Sequence, residues 1–181
     1  MRKMFLYFVL SAFVWSCNDE KTEPAATDAG STTATTATDP ADLPYKASYS
    51  SSWSTEVSDA DLKMVMNTYK DWADGNMSGL AAGMADSVNV EFGTGDHFSG
   101  TNAELMKLWK TYRDSLSAVK IDMAGWHRMY STDKKEGYIV TWYDEWDTYK
   151  DGRVDSATYH DINQVKNGKI VWYSQYKRKK K

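Results

Sequence analysis

Cysteine is nearly absent from this chain of 181 residues. Cys17 stands alone, which excludes a disulfide framework and any cysteine-built metal cluster and leaves stability to packing. Positive charge is not in surplus either: the formal net charge is -3, against the basic face that nucleic acid demands. No apolar run is long enough to cross a bilayer core of ~30 Å as a helix, since Met4–Val14 is too short and is broken by Ser11. The three histidines, His97, His127 and His160, are scattered with no i, i+4 pair, so no metal site is expected. An HExxH helix, a phosphate-cradling glycine loop and a Ser/His/Asp spacing are all missing, and nothing points to a cofactor. Aromatics, in contrast, abound. Eight Trp and twelve Tyr within 41% hydrophobic residues are enough for a real core, and the length suits one domain with appendages.

The appendages come first. Arg2 and Lys3 precede the apolar run in the order of a secretory signal, residues 1–16. Val14-Trp15-Ser16-Cys17 then resembles the bacterial lipobox. That resemblance implies that Cys17 is acylated, palmitate-like chains included, and becomes the mature N-terminus in a membrane. Several chains at ~0.8 kcal/mol per buried methylene anchor durably where one would not. Asn18-Asp19-Glu20-Lys21 resembles the acidic signal after the cysteine of Bacteroidetes lipoproteins. It implies the cell envelope, an outer-membrane lipoprotein, with exposure at the cell surface as the further implication. From Cys17 to residue 57 the chain reads as a Thr/Ala/Ser-rich tether, with Thr32-Thr33-Ala34-Thr35 typical of it. Such composition cannot bury enough apolar surface to offset ordering entropy, and as a coil it reaches ~35 Å. Tyr45, Tyr49 and Trp53 are the residues in it placed to touch the domain. At the other end, residues 178–181 form a basic tail, read as a solvated end to the last strand or as a contact with anionic lipid.

Between them, residues 58–177 form the domain. Ser58 with Asp61 caps a helix carrying Leu62, Val65, Met66, Tyr69 and Trp72 at helical spacing, stopped by Asp74-Gly75-Asn76. A short helix near Ser78–Met84 follows, then a strand alternating Val88, Val90 and Phe92. Thr101 with Glu104 caps a third helix, with Leu105, Leu108, Trp109, Tyr112 and Leu116 on one stripe. Four strands come afterwards: Val119 toward Tyr130, Tyr138–Tyr149, Val154–Val165 and Ile170–Tyr176, the last two joined by the hairpin signal Asn167-Gly168. Helices followed by hairpin-linked strands imply an α+β fold, with three N-terminal helices packed on a curved, mostly antiparallel sheet.

The order and spacing of four segments resemble the nuclear transport factor 2-like superfamily, in its SnoaL-like and ketosteroid-isomerase-like branches. They are Tyr69–Gly75 with Asp86–Val90, Phe98-Ser99-Gly100-Thr101-Asn102-Ala103-Glu104, and Asp161-Ile162-Asn163-Gln164-Val165-Lys166-Asn167-Gly168-Lys169-Ile170. The resemblance covers the whole domain and implies a cone whose helices close over a concave sheet and leave a pocket. Isomerase-type members use an aromatic hydroxyl, a carboxylate base and a neutral carboxyl. By position Tyr69 matches the hydroxyl and Asp161 the neutral carboxyl, but the base position falls on or near Phe92, which takes no proton. Glu91 is adjacent and points to the opposite face. That departure counts against isomerase chemistry.

Other pocket candidates come from strand faces. Tyr159, Asp161 and Asn163 share one, with Tyr173 and Gln175 on the neighbouring strand. On the long aromatic strand Tyr143, Glu145 and Asp147 take one face and Trp142, Asp144 and Trp146 the other, with nothing to say which faces inward. A carboxylate among aromatics would have a raised pKa and could act as acid or base. Against this, Tyr69, Trp72 and Trp109 sit on buried stripes and read as core, and Asp144, Glu145 and Asp147 read as a solvated face. The expectation is a module that binds a small, partly apolar ligand in the cone pocket without catalysis. A proton-transferring isomerase, cyclase or dehydratase is the alternative, and a partner-docking module of an envelope complex the third reading. The aromatic outer sheet face suits a homodimer.

Overall fold

The computed structural model describes residues 43–180. The signal segment, Cys17 and most of the tether lie outside the described residues. The elements are β1 (Trp53–Ser54), α1 (Asp59–Asp74), α2 (Met77–Gly83), β2 (Met84–Glu91), β3 (His97–Thr101), α3 (Asn102–Arg113), β4 (Leu116–Ser131), β5 (Glu136–Tyr149), β6 (Val154–Lys166) and β7 (Lys169–Lys179). One open sheet runs in the order β1-β4-β5-β6-β7-β2-β3, antiparallel throughout except for the parallel β2–β7 pair. No helix among the described residues is long and apolar enough to cross a membrane.

Local chemistry accounts for the helices. Ser58 Oγ accepts from the Asp61 backbone N–H at 3.0 Å and satisfies an orphan donor of α1, while Asp59 and Asp61 lie at the positive end of its dipole. The helix stops at Gly75, whose φ of 72° is left-handed and suits glycine. Thr101 and Glu104 form a complete capping box for α3, which seats the wholly buried Leu105 against Val88 and Val90 of β2. Val65 and Tyr69 of α1 bury against Ile139, Tyr143 and Ile170 of the sheet.

Several expectations need correction. The single strand expected between α2 and α3 is a β2–β3 hairpin: β3, where the sequence showed only a motif leading into a helix, pairs along its length with β2. Leu116 does not belong to the stripe of α3. That helix ends at Arg113, and Leu116 opens β4, buried opposite Tyr149. Strand β2 begins at Met84 rather than Val88.

The ends of the domain reach further than periodicity showed. Trp53 and Ser54 pair with Ser131 and Tyr130, Ser50 is buried, and Val57 joins the main core. The folded part therefore begins inside the span read as tether up to residue 57, because a strand edge and a core gap give these few residues partners. At the other end, Arg178 and Lys179 continue β7 opposite Thr158 and Ala157, and Lys180 pairs with Asp144. The first two residues of the basic tail are thus strand.

Candidate functional site

Inward alternation along three adjacent strands builds the site. On β5 the inward row is Ile139, Thr141, Tyr143, Glu145 and Asp147, so the face that the sequence left undecided is the buried one; Trp142 and Asp144 point outward. Register then lays Asp161 beside Thr141 and Tyr159 beside Tyr143 from β6, and Tyr173 beside Asn163 and Gln175 beside Asp161 from β7. Helices α1 and α3 and the turn after β2 close over these rows around a cavity of about 540 Å³. Trp72, Trp109, Leu108 and Phe92 supply its apolar wall, and Gly93 lets the turn pass close to β7, since a Cβ there would lie 2.7 Å from Lys177 Cβ. Such a volume matches small-molecule sites.

Of the residues singled out from sequence, Tyr69, Tyr143, Glu145, Asn163, Tyr173 and Gln175 all line the cavity. Asp161 does not; it lies wholly buried behind the tyrosines. Its Oδ2 accepts three phenolic hydroxyls, from Tyr143 at 2.8 Å and from Tyr69 and Tyr173 at 3.0 Å each. Its Oδ1 is buried with no partner among the described residues. Burial raises the Asp161 pKa to about 7, and the three donors hold it from rising further. The same burial, with the Asp161 charge nearby, pushes all three phenols well above their ordinary value, so they remain neutral donors. A second rank orders the first. Asn163 donates to the Tyr69 hydroxyl at 3.1 Å and to the Ile139 carbonyl at 3.1 Å, and Gln175 donates to the hydroxyls of Tyr173 and Tyr143 at 2.6 and 3.3 Å.

The carboxylates that line the cavity are instead Glu145 and Asp147 on the sheet, with the exposed Asp96 at the β2–β3 turn. Burial, together with the charges of Asp147 and Asp161, raises the Glu145 pKa to about 8, with Lys177 opposing. Glu145 is therefore mostly a neutral acid near pH 7. Asp147 is also raised by burial, but the Tyr112 hydroxyl donates to its Oδ2 at 2.8 Å and favours the charged form. Two neighbouring carboxyls whose environments differ in this way can divide acid and acceptor roles between them.

The base position carries no carboxylate. Phe92 lines the cavity, while Glu91 lies on the other face and accepts from Ser174 Oγ at 2.9 Å. Reading Glu145 and Asp147 as a solvated face is overturned by their burial at 7% and 4% exposure. Asp147, named from sequence only as a member of one strand face, lines the cavity together with Trp72 and Trp109, which read as core, and with Tyr112 and Lys177, which were given no pocket role. The signal available for Asp147 was its period-2 relation to Tyr143. Among the described residues no group of three His, Cys, Asp or Glu is arranged to hold a metal.

No family model matches the chain, and no curated protein is found as a relative. Solved structures do share its fold. A LEH-like epoxide hydrolase of M. tuberculosis superposes with a TM-score of 0.56 at 9% identity, covering 66% of this chain and 83% of that one. AusH from Aspergillus nidulans gives 0.54 at 15%, covering 67% and 86%. A nuclear transport factor 2-like protein of unknown function from Burkholderia pseudomallei gives 0.52 at 15%, covering 66% and 91%. At these identities the likeness concerns the fold, which is the nuclear transport factor 2-like cone of three helices on an open sheet.

Proposed function

We propose that this domain binds a small, partly apolar ligand in the cone cavity, on a chain held at the bacterial cell envelope by acylated Cys17. The observation that carries the ligand reading is the open, aromatic-walled space of about 540 Å³ with buried carboxyls on its floor. A fold with no such use would fill that space, because packed interiors leave few voids larger than a water molecule. The anchoring rests on the sequence alone, on Val14-Trp15-Ser16-Cys17 and the apolar run before it.

A second reading, proton transfer on the bound ligand, is favoured by Glu145. Burial keeps its carboxyl protonated near neutrality while it faces the cavity, the condition required of a general acid. One structural relative is described as an epoxide hydrolase, a reaction class in which an acid would have a place, although the shared fold does not carry chemistry by itself.

Mass spectrometry of small molecules that co-purify with the chain tests the first reading. A stoichiometric compound lost on Trp109→Ala supports it, and an empty chain that binds no apolar probe refutes it. Glu145→Gln tests the second reading: binding kept with turnover lost identifies an acid, whereas a parent chain that binds its ligand and leaves it unchanged identifies a binding module.

A further inference from the structure

The inward row of β5 ends in a carboxylate only half supplied with donors. Asp147 is buried at 4% exposure and faces the cavity, and Tyr112 serves its Oδ2, but its Oδ1 meets no donor among the described residues. The cations whose fields reach it are turned to other partners. Arg113 donates to the carbonyls of Trp72 at 3.1 Å and Ala73 at 3.0 Å, and Lys177 Nζ sits over the Tyr159 ring at 5.4 Å. A buried charged acceptor without a donor is costly, and such groups are retained where a ligand supplies the missing bond.

The walls nearby point to the same chemistry. Trp72 lies parallel to Tyr112 with ring centres 6.1 Å apart, and Trp109 lies 6.5 Å from Trp72. Ring faces are electron-rich and attract cations, most strongly where water is excluded. An anion in this cavity would meet the Asp147 carboxylate at close quarters. A neutral hydroxyl could serve Oδ1, but it would gain nothing from the ring faces or from the carboxylate's charge.

Resting on the reading of the cavity as a ligand site, we propose that it takes a protonated primary or secondary amine on an apolar body. The ammonium N–H is donated to Asp147 Oδ1, and its charge lies against Trp72, Trp109 and Tyr112.

Titration calorimetry of the full chain at neutral pH with phenethylamine and with phenethyl alcohol, its uncharged analogue, tests this. The amine binds about tenfold more tightly or better, the factor expected of a hydrogen bond to a buried charge. Asp147→Asn brings the amine to within about twofold of the alcohol, while unchanged affinity for the alcohol reports an intact cavity. If Asp147→Asn does not fold, the two probes on the parent chain decide. Equal binding of the two probes, or preference for the alcohol, overturns the amine while leaving the ligand cavity standing. Binding of neither probe overturns both.

Discussion

Tyr143 donates its hydroxyl to Asp161 Oδ2 at 2.8 Å across two adjacent strands, the shortest of three phenolic hydrogen bonds to one oxygen. Strand register brings the pair together: Thr141 stands opposite Asp161 and Tyr143 opposite Tyr159, so the tyrosine reaches diagonally. Tyr143→Phe removes that donor and leaves the ring's packing in place. We expect a loss of ~1–3 kcal/mol in denaturant-measured stability. The loss is larger at pH 8 than at pH 6, because the donor stabilises the ionised carboxylate and its removal raises the Asp161 pKa further. Equal losses at both pH values would show that Asp161 carries no charge in the folded state.

The two raised carboxyls set a direction for pH dependence. Glu145 goes from 4.5 to about 8, and Asp161 from 3.8 to about 7. Well below the ordinary values of 3.8 and 4.5 both are protonated, folded or unfolded, and neither weakens the fold. As pH rises the unfolded chain ionises first, so stability falls through the window up to about pH 8, with a slope approaching ~1.4 kcal/mol per pH unit for each group. Glu145→Gln and Asp161→Asn each flatten this decline. A melting temperature that rises steadily from pH 5 to pH 8 would contradict the burial of these groups.

Helix α3 depends on its first turn. Thr101→Ala breaks the capping box and costs ~0.5–2 kcal/mol, whereas Thr101→Ser retains the hydroxyl and most of the stability. Leu105→Ala, at a fully buried position between α3 and β2, costs ~2–5 kcal/mol. Urea midpoints of the three variants provide the comparison.

The outward sheet face carries an aromatic row. Trp142 stacks on His160 at 5.1 Å, and His160 lies 6.0 Å from Tyr176, which is 57% exposed. We propose that two copies pair through this face, since exposed aromatics in a row seek cover. Sedimentation of the chain gives a dimer that Trp142→Ser with Trp146→Ser converts to monomer. A parent chain that sediments as a monomer removes the homodimer, and an unaltered dimer places the contact elsewhere.

The anchor is tested by labelled palmitate. The chain expressed in a bacterial host takes up label and partitions into detergent, and Cys17→Ala abolishes both. Recovery of the parent chain unlabelled in the aqueous phase would exclude acylation.

Much of the fold was legible because its signals are short-range. Ser58, Gly75 and the Thr101–Glu104 pair mark helix ends through bonds made within one turn, and Asn167-Gly168 turns the β6–β7 hairpin with both residues at positive φ. The site was half legible. Alternation grouped Tyr143 with Glu145 and Asp147, and Asp161 with Asn163, but period 2 is symmetric and says nothing about which row is inside. Strand β1 was missed because two residues carry no periodicity, and β3 because its pairing with β2 outweighs its weak alternation.

Composition and local pattern alone determined that the chain makes capped helices and long aromatic strands and closes no disulfide within itself, and they place its one cysteine after an apolar run. Tertiary structure decided the rest. It turned the row of Tyr143, Glu145 and Asp147 inward and gathered three phenols from α1, β5 and β7 onto one oxygen of Asp161, while leaving Asp147 Oδ1 without a donor among the described residues. Those relations depend on which strands are neighbours and on how far water is excluded, and both are set only when segments distant in the chain pack together.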